Sequence, residues 1–181
     1  LNEILDFSKL DAQRLELRSE PMNLEMLAKD TIADMQSLAE QKAFPLVLDV
    51  QLAQPIVYND QARLRQVLTN LISNAIKFTE QGEVRLSVHD INEDTVLLAV
   101  TDTGRGMAPE ELNYIFEAFR QVDQTLTRKY PGTGLGLAIT DSLVSLMGGE
   151  ITVHSMIHQG SSFEVKLPRE VKVGERYLIL L

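Results

Sequence analysis

"DQARLRQVLTNLISNAIKF", residues 60–78, reads as one long helix with two different faces. Leu64, Val67, Leu68, Leu71 and Ala75 recur at steps of three and four, the spacing of a stripe that turns inward against a sheet. Gln66, Asn70, Asn74 and Lys77 follow at steps of four, four and three and form a second, polar stripe. That stripe has two readings. It is the solvated face, as most polar stripes are, or it is there to hold something. A solvated stripe ordinarily uses Glu, Lys and Arg, whereas each Asn costs roughly half a kcal/mol relative to Ala in a helix interior. An amide oxygen is a hard, neutral ligand of the kind Mg²⁺ accepts while keeping most of its water and its substrate phosphates. Lys77, one turn further on, adds a positive charge beside such phosphates.

Working outward, the pattern around this helix alternates between periods of about two and about 3.6. "PLVLDV" before it is a short strand. After it, "EVRLSVHD" and "TVLLAVTD" are two strands joined by "INED", a hairpin. Further upstream, Asn23 can cap a helix whose stripe is Leu24, Leu27, Ala28, Ile32, Met35, Leu38 and Ala39, ending at Phe44-Pro45. "RLELRSEP" alternates like a strand that Pro21 stops, and "LNEILDFSKLDAQRLEL" opens as a helix without a cap. Downstream lie a loop "TGRGMAPEE", a short helix "LNYIFEAF", a polar stretch from Arg120 to Gly134, a helix "LGLAITDSLVSLMG", and the strands "EITVHS" and "SSFEVKLP" joined by a turn. Strands and helices interleave, with antiparallel pairs in the middle and at the end. This predicts an α/β (α+β) two-layer sandwich: one mixed, mostly antiparallel sheet with helices on one face.

Composition narrows the function classes. At 181 residues, 44% hydrophobic and 24% charged, the chain can bury the core of one ordinary domain. A net charge of -9 works against general binding to nucleic acid or an anionic membrane, so any phosphate must be held by a local device. With no cysteine there is no disulfide and no thiolate metal site. No apolar run approaches the roughly 20 residues that span a bilayer, and a cytoplasmic setting is the expectation.

Two glycine clusters are the local devices available. In "VTDTGRGM", Asp102 ends an apolar strand and is followed by Gly104 and Gly106, which allow close backbone approach to a ligand. A carboxylate there can accept a hydrogen bond from an exocyclic amine such as that of adenine, or simply cap a tight turn. Asp-Thr-Gly is also the triplet of aspartic proteases, but those need two carboxylates sharing a proton and this chain has one triplet, followed by Arg105. "PGTGLGLAIT", residues 131–140, is a glycine-rich loop entering a helix, whose first amides attract anions; it is neither the dinucleotide fingerprint nor a Walker loop. The segment before it carries Arg120, Arg128 and Lys129, and a stretch of that length inside a compact domain suits a lid over a bound nucleotide.

In order, "NLISNAIKFTEQG", "DTGRGM", "YIFEAFRQVD" and "GTGLGLAI" closely resemble the four boxes of the sensor histidine kinase catalytic domain, a member of the gyrase, Hsp90, histidine kinase and MutL ATPase superfamily. The resemblance runs from about Leu1 to Pro168. It implies a Bergerat-type ATP-binding fold with ATP between the long helix and the lid. It implies that Asn70 and Asn74 hold Mg²⁺ and phosphate, Lys77 a phosphate, Asp102 the adenine amine, Gly104 and Gly106 the loop beside it, and Arg128, Gly132, Thr133, Gly134, Leu135 and Gly136 the phosphate end of the lid. Ser162 in "GSSF" matches a hydroxyl position near the adenine aspartate. It further implies a dimerisation and histidine-phosphotransfer domain, a response regulator or receiver as partners, no nucleic acid, and a homodimeric full-length protein whose parent could be membrane-anchored.

Within that superfamily the hydrolysing branch carries a glutamate one turn before the metal-binding asparagine. Here that position is Asn70, and an amide cannot take a proton from water, so ATP should be kept for transfer rather than hydrolysed. None of the three histidines suits the acceptor: His89 and His154 lie at strand ends and His158 in a turn. Residues 1–18 resemble the end of the dimerisation helix and its connector, 19–168 the catalytic domain, and 169–181 a linker that either opens a receiver-like domain or packs as a tail. The chain alone is therefore expected to bind Mg-ATP without phosphorylating itself. Pro131 stands where a further glycine is usual, which stiffens the lid hinge. The competing classes are a regulatory ATP-binding module, such as an anti-sigma-type serine kinase or a silent signalling domain, and an interaction domain that lost nucleotide.

Overall fold

The computed structural model describes residues 15–119 and 134–172, with two isolated helical positions at Ile4 and Ser8. In chain order the elements are β1 (Glu20–Asn23), α1 (Leu24–Gln41), β2 (Leu46–Gln51), β3 (Ile56–Asn59), α2 (Gln61–Phe78), β4 (Val84–Asn92), β5 (Thr95–Asp102), α3 (Pro109–Leu112), α4 (Gly136–Leu146), β6 (Glu150–Met156) and β7 (Gly160–Pro168). Five strands form one sheet in the order β2-β4-β5-β7-β6, and β1 pairs with β3 in a small second sheet. Only β2 and β4 run parallel within the large sheet; its other pairs are antiparallel.

Alternation along the strands decides which face is covered. Val84, Leu86 and Val88 of β4, Val96, Leu98 and Val100 of β5, and Val165 and Leu167 of β7 are buried, whereas Arg85, Ser87, His89, Thr101 and Lys166 between them are half-buried or exposed. Onto the apolar face pack Leu24, Leu27 and Ala28 of α1, the predicted stripe Leu64, Val67, Leu68, Leu71 and Ala75 of α2, and Ile139, Leu143 and Val144 of α4. α2 touches both α1 and α4 and is the central helix of the layer. The two-layer α/β arrangement read from the pattern is the one observed. Among the described residues no helix is long and apolar enough to cross a membrane.

Three local readings are corrected. Residues 15–19 form no strand; Leu17 is buried in the core, so the alternation there marks packing and not pairing. The strand starts at Glu20 and runs through Pro21, which pairs with Tyr58 at the edge of a two-stranded sheet, where a missing N–H is tolerated. Its partner β3, four residues long, gave too short a pattern to be read. In "LNYIFEAF" helix ends at Leu112 and turns follow, with Phe119 at φ 62° closing them. Beyond Pro168 the packing continues: Tyr58 N donates to Arg169 O at 2.7 Å, Val171 N donates to Tyr58 O at 2.8 Å, and Val171 is buried. Residues 173–181, and most of 1–14, lie outside the described residues.

Candidate functional site

α2 begins where Asp60 caps it. One carboxylate oxygen accepts from Arg63 N at 3.1 Å, and the other accepts from Arg18 N at 2.9 Å, tying the incoming chain to the helix start. At its far end the helix meets the loop after β5. Arg105 N donates to Phe78 O at 3.4 Å, and a Cβ on Gly104 would lie 2.5 Å from that same oxygen, so only glycine lets the loop come this close. Gly106 has φ +66°, and a Cβ there would lie 1.8 Å from the Met156 carbonyl oxygen. Both glycines of "DTGRGM" thus serve close approach between the loop, α2 and the β6–β7 hairpin.

This loop presents Asp102, buried at the end of β5. Its carboxylate accepts from Gly104 N at 2.8 Å and from the Ser161 amide. Burial pushes its pKa up, and the two amide bonds pull partly the other way. A carboxylate has about four lone-pair sites, so two amides leave room for a ligand donor.

Eight residues earlier on α2, about 12 Å along the axis at a 1.5 Å rise, Asn70 meets α4. Asn70 Nδ2 donates to Thr140 Oγ1 at 2.7 Å, and a Cβ on Gly136 would sit 2.4 Å from Asn70 Oδ1. α4 starts at Gly136 and its N-cap, Leu135, makes no side-chain cap hydrogen bond, so among the described residues no side-chain cap offsets the positive end that its first amides carry. Gly134, at φ +71°, leads in, and its carbonyl accepts from Phe119 N at 3.0 Å. That bond brings together the two ends of the stretch 120–133. Leu135 is fully buried and anchors the loop in the core.

Between these ends lie Asn74 and Lys77, both half-buried. Asn74 makes no side-chain hydrogen bond among the described residues. Lys77 Nζ lies 5.1 Å from the centre of the Phe78 ring, which the Arg105 guanidinium also faces at 5.4 Å, and burial lowers the Lys77 pKa. A cleft of about 380 Å³ runs between α2 and α4, lined by Arg65, Gln66, Thr69, Asn70, Gly136 and Thr140 among others. It adjoins the Asn70 end and does not include Asn74, Lys77 or Asp102, so hollow space alone would misplace the centre of the polar ladder.

One predicted site residue is corrected. Ser162 pairs with Thr101, to which its hydroxyl bonds at 3.0 Å, on the sheet face opposite Asp102. Ser161 is the register partner of Asp102, and its hydroxyl lies 2.9 Å from Ser155 Oγ, which in turn accepts from Met107 N at 2.8 Å. One residue of register moves a strand side chain to the other face. Thr140, which the sequence reading passed over, is buried and holds the Asn70 amide. Arg128, Gly132 and Thr133, with Arg120, Lys129 and Pro131, lie outside the described residues.

Residues 59–171 match the family model described as histidine kinase-, DNA gyrase B-, and HSP90-like ATPase. The chain is 44% identical over 172 residues to the sensor histidine kinase GacS of Pseudomonas protegens, spanning 92% of this chain and 19% of that protein. To the circadian input-output histidine kinase CikA of Synechococcus elongatus it is 42% identical over 176 residues, 96% of this chain and 23% of that one. Among solved structures it superposes on full-length ShkA in complex with AMPPNP with a TM-score of 0.85 at 36% identity, covering 96% of this chain and 36% of that chain. The chain thus spans about a fifth of the length of the curated relatives it matches.

Proposed function

The chain belongs to the family of histidine kinase-, DNA gyrase B- and HSP90-like ATPases, and on that premise we propose that it is the ATP-binding catalytic domain of a sensor histidine kinase. It holds Mg-ATP along α2 and donates the γ-phosphoryl group to a histidine of the dimerisation and histidine-phosphotransfer domain of its parent protein. The sensor histidine kinases among its relatives support this reading. So does one observation above the rest: a buried carboxylate with spare acceptor capacity and a helix N-terminus with no side-chain cap among the described residues adjoin α2 at Phe78 and at Asn70, points eight residues or about 12 Å apart along its axis. A nucleotide has an amine donor at one end and anionic oxygens at the other, and its length suits that span.

Each residue then has a role. Asp102 accepts from the adenine amine. The Gly134–Gly136 turn and the first amides of α4 receive phosphate oxygens, and Lys77 offsets their charge. Asn74, half-buried and with no side-chain hydrogen bond among the described residues, fits a single neutral oxygen ligand. No group of three or more His, Cys, Asp or Glu that could cage a cation occurs among the described residues, so Mg²⁺ would take most of its ligands from ATP and water, with Asn70 beside it. When bound, the ion neutralises charge on the phosphates. Arg128, Gly132 and Thr133 are proposed to complete the phosphate end.

Transfer breaks the bond between the γ-phosphorus and the oxygen left on ADP and forms one to the unprotonated imidazole nitrogen, after which the ring loses the proton of its other nitrogen to solvent. This needs positioning and charge neutralisation more than acid–base chemistry. Asn70 occupies the place from which a carboxylate would activate water, so hydrolysis is slow. The phosphoryl group passes on to a response regulator or receiver, in a homodimeric, cytoplasmic catalytic assembly.

Titration calorimetry with Mg-ATP tests the reading. Binding heat is expected from the chain, and Asp102→Asn should weaken it by roughly 10- to 100-fold, the worth of a charge-assisted hydrogen bond of about 1.5–3 kcal/mol. Absent heat, or heat that D102N leaves intact, overturns it, and brisk ATP hydrolysis overturns the transfer assignment.

A further inference from the structure

The last four carbonyls of a helix have no partner inside it. In α2 they are satisfied from three separate parts of the chain. Ala75 O accepts from Thr79 N at 3.1 Å and from Thr79 Oγ1 at 2.8 Å. Phe78 O accepts from Arg105 N, in the loop that presents Asp102. The two between them, Ile76 O and Lys77 O, accept from Lys42 Nζ at 2.7 and 2.8 Å, and the same ammonium donates to Thr79 O at 2.9 Å. An ammonium carries three donors, and three carbonyls converge on this one.

The backbone that carries Lys42 is itself held. Its N–H bonds to Ala39 O at 3.0 Å to close α1, Ala43 turns the chain at φ 58° with its N–H on Glu40 O at 3.0 Å, and Phe44 is buried next to it. A lysine that merely complemented the helix dipole from the surface would not need three carbonyls or a braced base.

The turn that Lys42 grips does two jobs. It bears the Lys77 side chain, and the Asp102 loop is attached to it through Phe78 O, with no space for a Cβ on Gly104. We propose that Lys42 is a positioning residue: without touching ligand, it holds Lys77 and the Asp102 loop in register, so that the phosphate-facing and base-facing groups span one nucleotide. This rests on the reading of α2 as the nucleotide helix. The three carbonyl bonds to one ammonium brace the turn at the point where the Asp102 loop attaches to α2.

The test compares wild type, Lys42→Met, Lys42→Gln and Lys42→Arg by Mg-ATP titration, thermal melting and amide hydrogen exchange on the full chain. K42M is expected to lower affinity about tenfold and K42R to restore it to within about threefold, the scale set by charge-assisted bonds. Exchange at the Arg105 amide should rise selectively in K42M, while amides of β4 and β5 keep their protection, which a general loss of stability would not produce. If K42M does not fold, K42Q, with fewer donors, should weaken binding and K42R should not. Wild-type binding that depends on Asp102 but is unchanged in the Lys42 variants overturns this proposal alone. Wild-type binding that is absent, or indifferent to D102N, overturns it together with the nucleotide reading.

Discussion

Asp102 and Lys77 are both displaced from their ordinary pKa values by burial, and in opposite directions. Asp102 moves above 3.8 and Lys77 below 10.5. The sign follows from which form burial penalises. An acid with a raised folded pKa costs stability once it ionises, and that cost is relieved as pH falls through the folded value; a base with a lowered folded pKa costs stability while charged, relieved as pH rises through its folded value. Nucleotide binding needs both charged forms. Mg-ATP affinity should therefore decline on acidification at a higher pH than for an ordinary carboxylate, and on alkalinisation at a lower pH than for an ordinary lysine. Calorimetric titrations across pH would show this narrowed plateau in the wild type, and an acid limb that D102N abolishes. Ser161 allows a second residue-scale check. Ser161→Ala removes the hydroxyl that shares the Asp102 side of the sheet and should weaken Mg-ATP binding by several-fold to about tenfold; Ser162→Ala loses an exposed bond to Thr101 and should leave it within about twofold. Equal effects would erase the distinction between the two faces.

At the scale of elements, α2 and α4 are joined by the Asn70–Thr140 hydrogen bond and by the absence of a side chain at Gly136. Gly136→Ala places a methyl group 2.4 Å from the end of the Asn70 side chain, which can rotate away at little cost to folding, and alanine is the better helix former. The melting temperature should hold or rise slightly while Mg-ATP affinity drops by about tenfold, or ~1.4 kcal/mol. Gly106→Ala differs: its methyl would strike a backbone carbonyl at a left-handed φ, so loss of stability is expected first. A G136A protein binding as well as wild type would remove Asn70 from the site. Both faces of α2 were legible in the sequence because helical periodicity is local. α4 was legible too, but its contact with Asn70 joins residues 70 apart and left no trace in either segment.

For the whole molecule, the start and the finish of the packed chain converge on β3. β1 pairs with it on one side, and Arg169 and Val171 bond to Tyr58. Arg169 also pairs with Asp90 and donates to Gln54 O at 3.0 Å. A chain ending after Pro168 should be less stable than one ending after Lys172. Exposing Val171 and losing its bonds costs about 2 kcal/mol or more, which lowers the melting temperature by roughly 4–8 °C in scanning calorimetry. Identical melting curves would show that residues 169–172 add nothing to the domain.

The sequence by itself determined the helices and their buried stripes, the hairpin strands, the glycine loops and the amide ladder, because each depends on neighbours within a turn or a strand. Tertiary structure alone decided that Ser161 and not Ser162 shares a face with Asp102, that Pro21 lies within an edge strand, that residues after Pro168 return to β3, and that Lys42 closes the end of α2. Those outcomes depend on register and on which distant carbonyls fall within reach of a given donor, and no pattern along the chain encodes either until the layers are packed together.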